Sequence, residues 1–399
     1  MALFQGTTDS GNSVSTRCVG GRALSLDPAG NATVYFLPNG LKLLEDGDSS
    51  TSSTFLITNF AFSPFTHLGE PPAHPPNHTF SLQESGHIVE VEIRPLNDYV
   101  DRIVLLQQNR RVLPTALLAL KTASPMEPPW THGVATKICH LISLAAGTSV
   151  DWLRAEGFDP SLEKRYCFHS APPTRPFCSF PTVPIKDLSY QANTNILQRF
   201  LQSGLDRYAT SDSRHLDSLI ASFLDARLEG EFLETRGLKV AITLEIAKNE
   251  FAEALTKGEW ETTMPSALRK RIREIAKSAL RSDGIDPDTV TIVSETLAQL
   301  SRPSLRRVVN YMLKALNLSE EKSVIDAVIE IRNRLVHTGR FISQTDPTRT
   351  SKLGIADVNQ EFYMLLSFVD RVLLRIFGHA GPKIDYSQSK GRELHTSIS

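Results

Sequence analysis

A chain of 399 residues is too long for one ordinary compact core, and with 41% hydrophobic residues it carries material for more than one. A formal net charge of -1 excludes a global basic field, so any nucleic-acid role rests on a local patch. The four cysteines, Cys18, Cys139, Cys167 and Cys178, show no CxxC spacing and read as reduced thiols of a cytoplasmic protein.

Residues 1–25 are rich in Gly, Ser and Thr and are expected to be loose. Met1 to Asp9 lack the basic and apolar regions of a signal peptide. Ala32 to Leu37 reads as a strand ended by a turn at Pro38, Asn39 and Gly40. Thr54 to Phe62 is a second β-prone run. In His87 to Arg94, the apolar Val89, Val91 and Ile93 alternate with Glu90, Glu92 and Arg94, the pattern of a strand with one wet face. Tyr99 to Leu106 and Val112 to Leu120 continue this extended reading. Prolines at 71–72, 75–76 and 128–129 mark loops.

Val134 to Ala146 reads as a lone helix, followed by extended segments at Ser149 to Leu153 and Lys164 to His169. Cys139, His140, Cys167, His169 and Cys178 match the spacing of no zinc finger or ribbon. Pro172, Pro173, Pro176, Pro181 and Pro184 make residues 171–186 a linker. Residues 1–185 are therefore expected to form a β-rich, sandwich-like sensor or regulatory domain.

From about Gln191 the apolar period becomes 3.6, and residues 187–379 are expected to be an all-α bundle, giving an α+β chain overall. Leu216, Leu219, Ile220, Phe223 and Leu224 share one helix face, as do Val240, Leu244, Ala247 and Phe251. Pro265 opens a helix with Leu268, Ile272, Ile275 and Ala279 expected to face inward. Its other side carries Arg269, Lys270, Arg273, Lys277 and Arg281, readable as a solvated face or as a track for an RNA backbone. Helices are also expected over Thr289 to Leu300, Pro303 to Leu316, Ser319 to Thr338 and Ile355 to Phe377, with Gly378 as a cap. The apolar stretch Phe362 to Phe377 is broken by Asp370, Arg371 and Arg375 and is too short to span a bilayer, so no membrane partner is expected. Residues 380–399 are expected to be a disordered tail.

The densest chemistry lies in Glu330 to Gly339. Ser319 is the expected N-cap, and Glu320 and Glu321 suit the positive end of the helix dipole. Val324, Val328, Ile331 and Leu335 form a core stripe at spacings of four, three and four. Asp326, Glu330, Asn333 and His337 repeat the same spacing as a polar stripe, which is also what a solvated helix end looks like. Arg332 sits between the stripes, where its guanidinium can reach toward His337 or a partner subunit. His337 occupies the last turn before the helix-stopping Gly339. An imidazole that moves a proton and a fixed guanidinium that stabilises a phosphorane are what RNA cleavage by its own 2′-hydroxyl needs, without metal or cofactor.

Arg332, Asn333 and His337, with four residues between the Arg and the His, resemble the motif of HEPN ribonucleases in its Arg-Asn form. The order of a β-rich half before a helical half resembles the ApeA-type defence proteins. This resemblance implies that Arg332 and His337 are a catalytic pair oriented by Asn333, and that two copies dimerise through the HEPN domain into a composite RNA-cleaving site. It also implies tRNA or mRNA as substrate and anti-phage defence as the setting, with a phage-derived trigger at the first domain. Glu330 is an auxiliary candidate from its place on the polar stripe. Relatives often carry an aromatic residue after the His, where this chain has Thr338 and Gly339. A non-cleaving HEPN module that binds RNA, nucleotide or protein, and a dimeric interaction adaptor, remain as alternatives.

Overall fold

The computed structural model describes residues 2–7, 13–26, 32–44, 49–61, 77–109, 112–170, 175, 182–183, 190–228, 230–260, 265–298, 303–381, 383–386 and 393–395. Cys178, most of the 171–186 linker and most of the tail lie outside them. The chain forms two compact units, one of Met1–Glu231 with Ile376–Asp385 and Arg392–Ile398, the other of Phe232–Arg375 with Tyr386–Gly391. An antiparallel sheet region thus precedes a helical one.

The strands of the first unit are β1 (Ala2–Thr7), β2 (Ser13–Leu26), β3 (Ala32–Leu44), β4 (Ser50–Thr58), β5 (His78–Glu84), β6 (His87–Pro95), β7 (Pro114–Met126), β8 (Trp152–Phe158) and β9 (Lys164–Ser170). They hydrogen-bond as one sheet in the order β1-β2-β3-β9-β8-β4-β7-β6-β5. The expected sandwich is therefore corrected to a single sheet, on which a helix supplies the second layer. That helix, α2 (Pro128–Ala146), buries Val134, Ala135, Ile138, Leu141, Ile142 and Leu144 and packs on β4, β7 and β8. Pro128 and Pro129 do not make a loop. They open α2 at positions where a missing N–H costs nothing, and Gly147 at φ 65° closes it.

The alternation in β6 is seen in full, with Val89, Val91 and Ile93 buried and Ile88 outside the core. Three expectations are corrected. Tyr99–Asn109 is a helix, α1, because Tyr99, Ile103 and Leu106 are spaced by four and three and all are buried. β3 runs through Pro38, Asn39 and Gly40, which are absorbed by an irregular register against β2. Part of the expected tail is ordered as two short antiparallel strands, β10 (Lys383–Asp385) and β11 (Glu393–His395).

β5 is an edge strand, and a helix closes that edge. On α3 (Tyr190–Thr210), the Gln202 side-chain amide accepts from the Gln83 N–H at 2.7 Å and donates to the Gln83 carbonyl at 3.1 Å. Gln198 donates to the Ser81 carbonyl at 2.9 Å. The match is geometric. Four residues of helix rise roughly 6 Å and two residues of strand roughly 6.7 Å, so side chains at i and i+4 reach alternate peptide groups of one strand. A polar seam continues this attachment. Lys137 of α2 meets the nearly buried Glu84 at 2.7 Å. His140 of α2 and Tyr208 of α3 both bond Asp217 of α4 (Ser213–Asp225), at 2.9 and 2.8 Å. Burial pushes the Asp217 carboxyl up, but the bonds from His140 and Tyr208 outweigh it and leave the group below its ordinary value. Two helices of the second, helical half of the sequence thus fall in the sheet unit, whose first segment runs to Glu231.

Replacing Gln202 with Ala strips the edge of its cover and should cost about 1–2 kcal/mol in denaturant unfolding, with a rise in concentration-dependent association. His78 in β5 is buried, which lowers its pKa from 6.5 to about 4. The unfolded chain binds a proton there at higher pH than the folded one. Its contribution is therefore complete above pH 6.5 and is lost as the pH falls toward 4, by about 3 kcal/mol. In urea melts at stepped pH, His78→Leu should flatten that acid limb.

Candidate functional site

The second unit contains α5 (Leu233–Leu255), a π turn at Thr256–Trp260, α6 (Ser266–Ser282), α7 (Pro287–Ala298), α8 (Leu305–Ala315), α9 (Lys322–Thr338), α10 (Pro347–Leu353) and nearly all of α11 (Val358–Ile376). The motif lies on α9, which packs against α5 and α8. Val328, Ile331 and Leu335 are buried, as are Ile325 and Ile329, whereas Val324 is half-buried and Val336 exposed. The helix begins two residues later than expected, with Glu321 rather than Ser319 at the N-cap. Glu320 instead forms an ion pair with Arg371.

Gly339 adopts φ 67° and its N–H donates to the Leu335 carbonyl at 2.9 Å, the left-handed ending that its position implied. Arg332 is held at the edge of the core, its side chain 15% exposed. Its Nη1 donates to Asn333 Oδ1 at 2.8 Å, and its Nη2 lies 2.7 Å from Oε1 of Glu245 on α5. Glu245 also meets Lys248 at 2.8 Å. The guanidinium is thus turned toward α5. His337 stands exposed in the last turn, beside the negative end of the helix. The structure therefore joins Arg332 and Asn333 by a direct bond and leaves His337 open to solvent.

The other candidates are placed differently. Glu330 is gripped by Arg349, whose Nε and Nη2 approach its carboxylate at 2.7–3.0 Å, and Asp326 pairs with Arg306 at 2.5 Å. That grip makes Glu330 a strut between α9 and α10. Arg269, Lys270, Arg273 and Lys277 lie on α6, a separate helix that packs chiefly on α7 and buries none of its residues. Leu268 and Ile275, expected to face inward, are 44% and 59% exposed. Half-buried positions are Arg269, Ile272, Arg273, Ala276, Lys277 and Leu280, so α7 covers the border between the apolar and basic faces rather than the apolar face itself.

One residue that the sequence pattern did not single out controls the ground beside the motif. Glu361, fully buried at the start of α11, accepts from the backbone N–H of Ile342 at 2.8 Å and of Ser343 at 2.7 Å. Phe341 is buried with them against Gly237 of α5, where an added Cβ would come within 2.6 Å of the ring. The signal available in sequence was the apolar pair Phe341–Ile342 directly after Gly339, which had to be drawn inward by something.

Among the described residues no group of three or more His, Cys, Asp or Glu side chains is arranged to hold a metal, and no helix is long and apolar enough to cross a membrane. Comparison with protein-family models, curated proteins and solved structures finds no match to this chain.

Changing Glu361 to Ala strands the buried Ile342 N–H and the half-buried Ser343 N–H and should cost about 3 kcal/mol in chemical denaturation. Hydrogen exchange at Ile342 and Ser343 should quicken well before global unfolding.

Proposed function

We propose that the second unit is a metal-independent endoribonuclease of the HEPN kind. What supports this reading is Arg332: a permanently charged fork fixed at the core edge by Asn333, on the same terminal turns of helix that present the exposed His337. In this reading His337 takes the proton from a 2′-hydroxyl or returns one to the leaving 5′-oxygen, depending on which copy of the pair it belongs to. Arg332 neutralises the extra charge that develops on the phosphorane, and Asn333 fixes its orientation. Both groups act on one phosphate when two copies face each other, so the working unit is a homodimer through the helical domain. The substrate is RNA, tRNA or mRNA, in the cytoplasm. The resemblance extends the proposal to anti-phage defence, with a phage-derived trigger acting on the sheet unit.

One observation favours a second reading. The Glu245 carboxylate already offsets the Arg332 charge, as it would in a HEPN-like module that binds RNA, nucleotide or protein without cutting, or in an adaptor. Cleavage requires the guanidinium to share or leave Glu245 when phosphate arrives.

Purified full-length protein incubated with tRNA or mRNA in excess EDTA should cut it, and His337→Ala and Arg332→Ala should each lower the rate at least ~100-fold with folding intact. Equal cleavage by all three proteins, or none by any of them under any activating condition, would remove the enzyme reading.

A further inference from the structure

A different chemistry is assembled on the sheet. In the β8–β9 pair, Arg154 lies opposite His169 and Glu156 opposite Cys167, and directly opposed residues share a face. That face is the one turned from α2, since the neighbouring Tyr166 is buried and meets Thr131 of α2 at 3.1 Å. There the Cys167 Sγ lies 3.6 Å from His169 Nε2, and Arg154, opposite His169 in the register, stands diagonally across from Cys167 on the same face. Arg154 is shared with Glu156 at 2.5 Å, and Lys164 reaches that carboxylate at 2.6 Å. Arg154 and Lys164 together offset the Glu156 carboxylate. Cys167 is 8% exposed, while His169 is exposed.

We propose that Cys167 is a peroxide-reactive thiol, with His169 as its proton acceptor and Arg154 as the counter-ion of the thiolate. A nucleophile within reach of a base, and a cation on the same face of the sheet, are what separate reactive thiols from inert ones. The low exposure of Cys167 favours a small oxidant such as a hydroperoxide. His169 takes the thiol proton, and the sulfur attacks one peroxide oxygen. The S–O bond forms as the O–O bond breaks, and the departing hydroxide leaves as water with that proton. Sulfur is oxidised by two electrons to the sulfenic acid and the peroxide is reduced. Cys139 gives an internal contrast: it is 1% exposed on α2, and burial pushes its thiol well up.

The test treats the folded full-length chain with hydrogen peroxide in the presence of dimedone, which traps sulfenic acid, and maps the adducts by peptide mass spectrometry. The adduct at Cys167 should form at least tenfold faster than at Cys139 and faster than at Cys167 itself in the urea-unfolded chain. Arg154→Gln and His169→Asn should each slow it several-fold at unchanged melting temperature, with Arg154→Lys recovering part of the rate. Trapping at Cys167 no faster than in unfolded protein, or rates indifferent to both substitutions, would overturn the assignment.

Discussion

A nine-stranded open sheet has to end somewhere, and how its β5 edge is closed decides what else belongs to the sheet unit. Exposed N–H and carbonyl groups on an edge invite pairing with another chain. Here the partner is a pair of glutamine amides on α3, which act as a short false strand against Ser81 and Gln83. Because the amide is uncharged and both donates and accepts, it satisfies a peptide group without the desolvation that a lysine or glutamate would bring. With α3 committed to the edge, α4 follows through Tyr208, Asp217 and His140. Both helices also bury an apolar face beside α2, with Leu197, Phe200, Leu201 and Leu205 of α3 and Leu216, Leu219, Ile220 and Phe223 of α4 in the core.

This attachment explains which parts of the fold were legible in sequence. Periodicity reports which face of a segment is buried, not which unit buries it. The half-buried strand His87–Pro95 was readable because one face is core and the other water. Tyr99–Asn109 reads as extended because its continuous apolar run, Ile103 to Leu106, suits either period, and only burial decides. The change to a 3.6-residue period near residue 190 is real, yet it does not mark the end of the first unit. What ties α3 to the sheet is two polar glutamines, invisible to any hydrophobic pattern. Likewise the prolines at 128 and 129 were informative about a boundary but ambiguous about its kind, since proline both breaks strands and opens helices.

At the motif, the legible part is the part fixed by local rules. The core stripe, the glycine stop and the exposure of His337 follow from spacing and backbone preference along one helix. The illegible part is long-range pairing. Glu245 and Arg349 lie on other elements, and nothing in the run from Glu330 to Gly339 says that Arg332 and Glu330 already have mates there. The amphipathic α6 shows the same limit from the other side: its moment was plain, but the direction it faces is set by where α7 lies.

The carboxylate of Glu361 has a consequence for how this region can vary. It clasps Ile342 and Ser343, and Gly339 fixes the chain direction only three positions earlier. The segment joining them has almost no slack, so its length is as constrained as its composition. A single inserted residue between Gly339 and Ile342 would swing the paired N–H groups away from the carboxylate and pull Phe341 out of its seat against Gly237. Asp346 then caps α10, whose Arg349 holds Glu330 of α9, so the constraint on length runs on from Gly339 to Arg349.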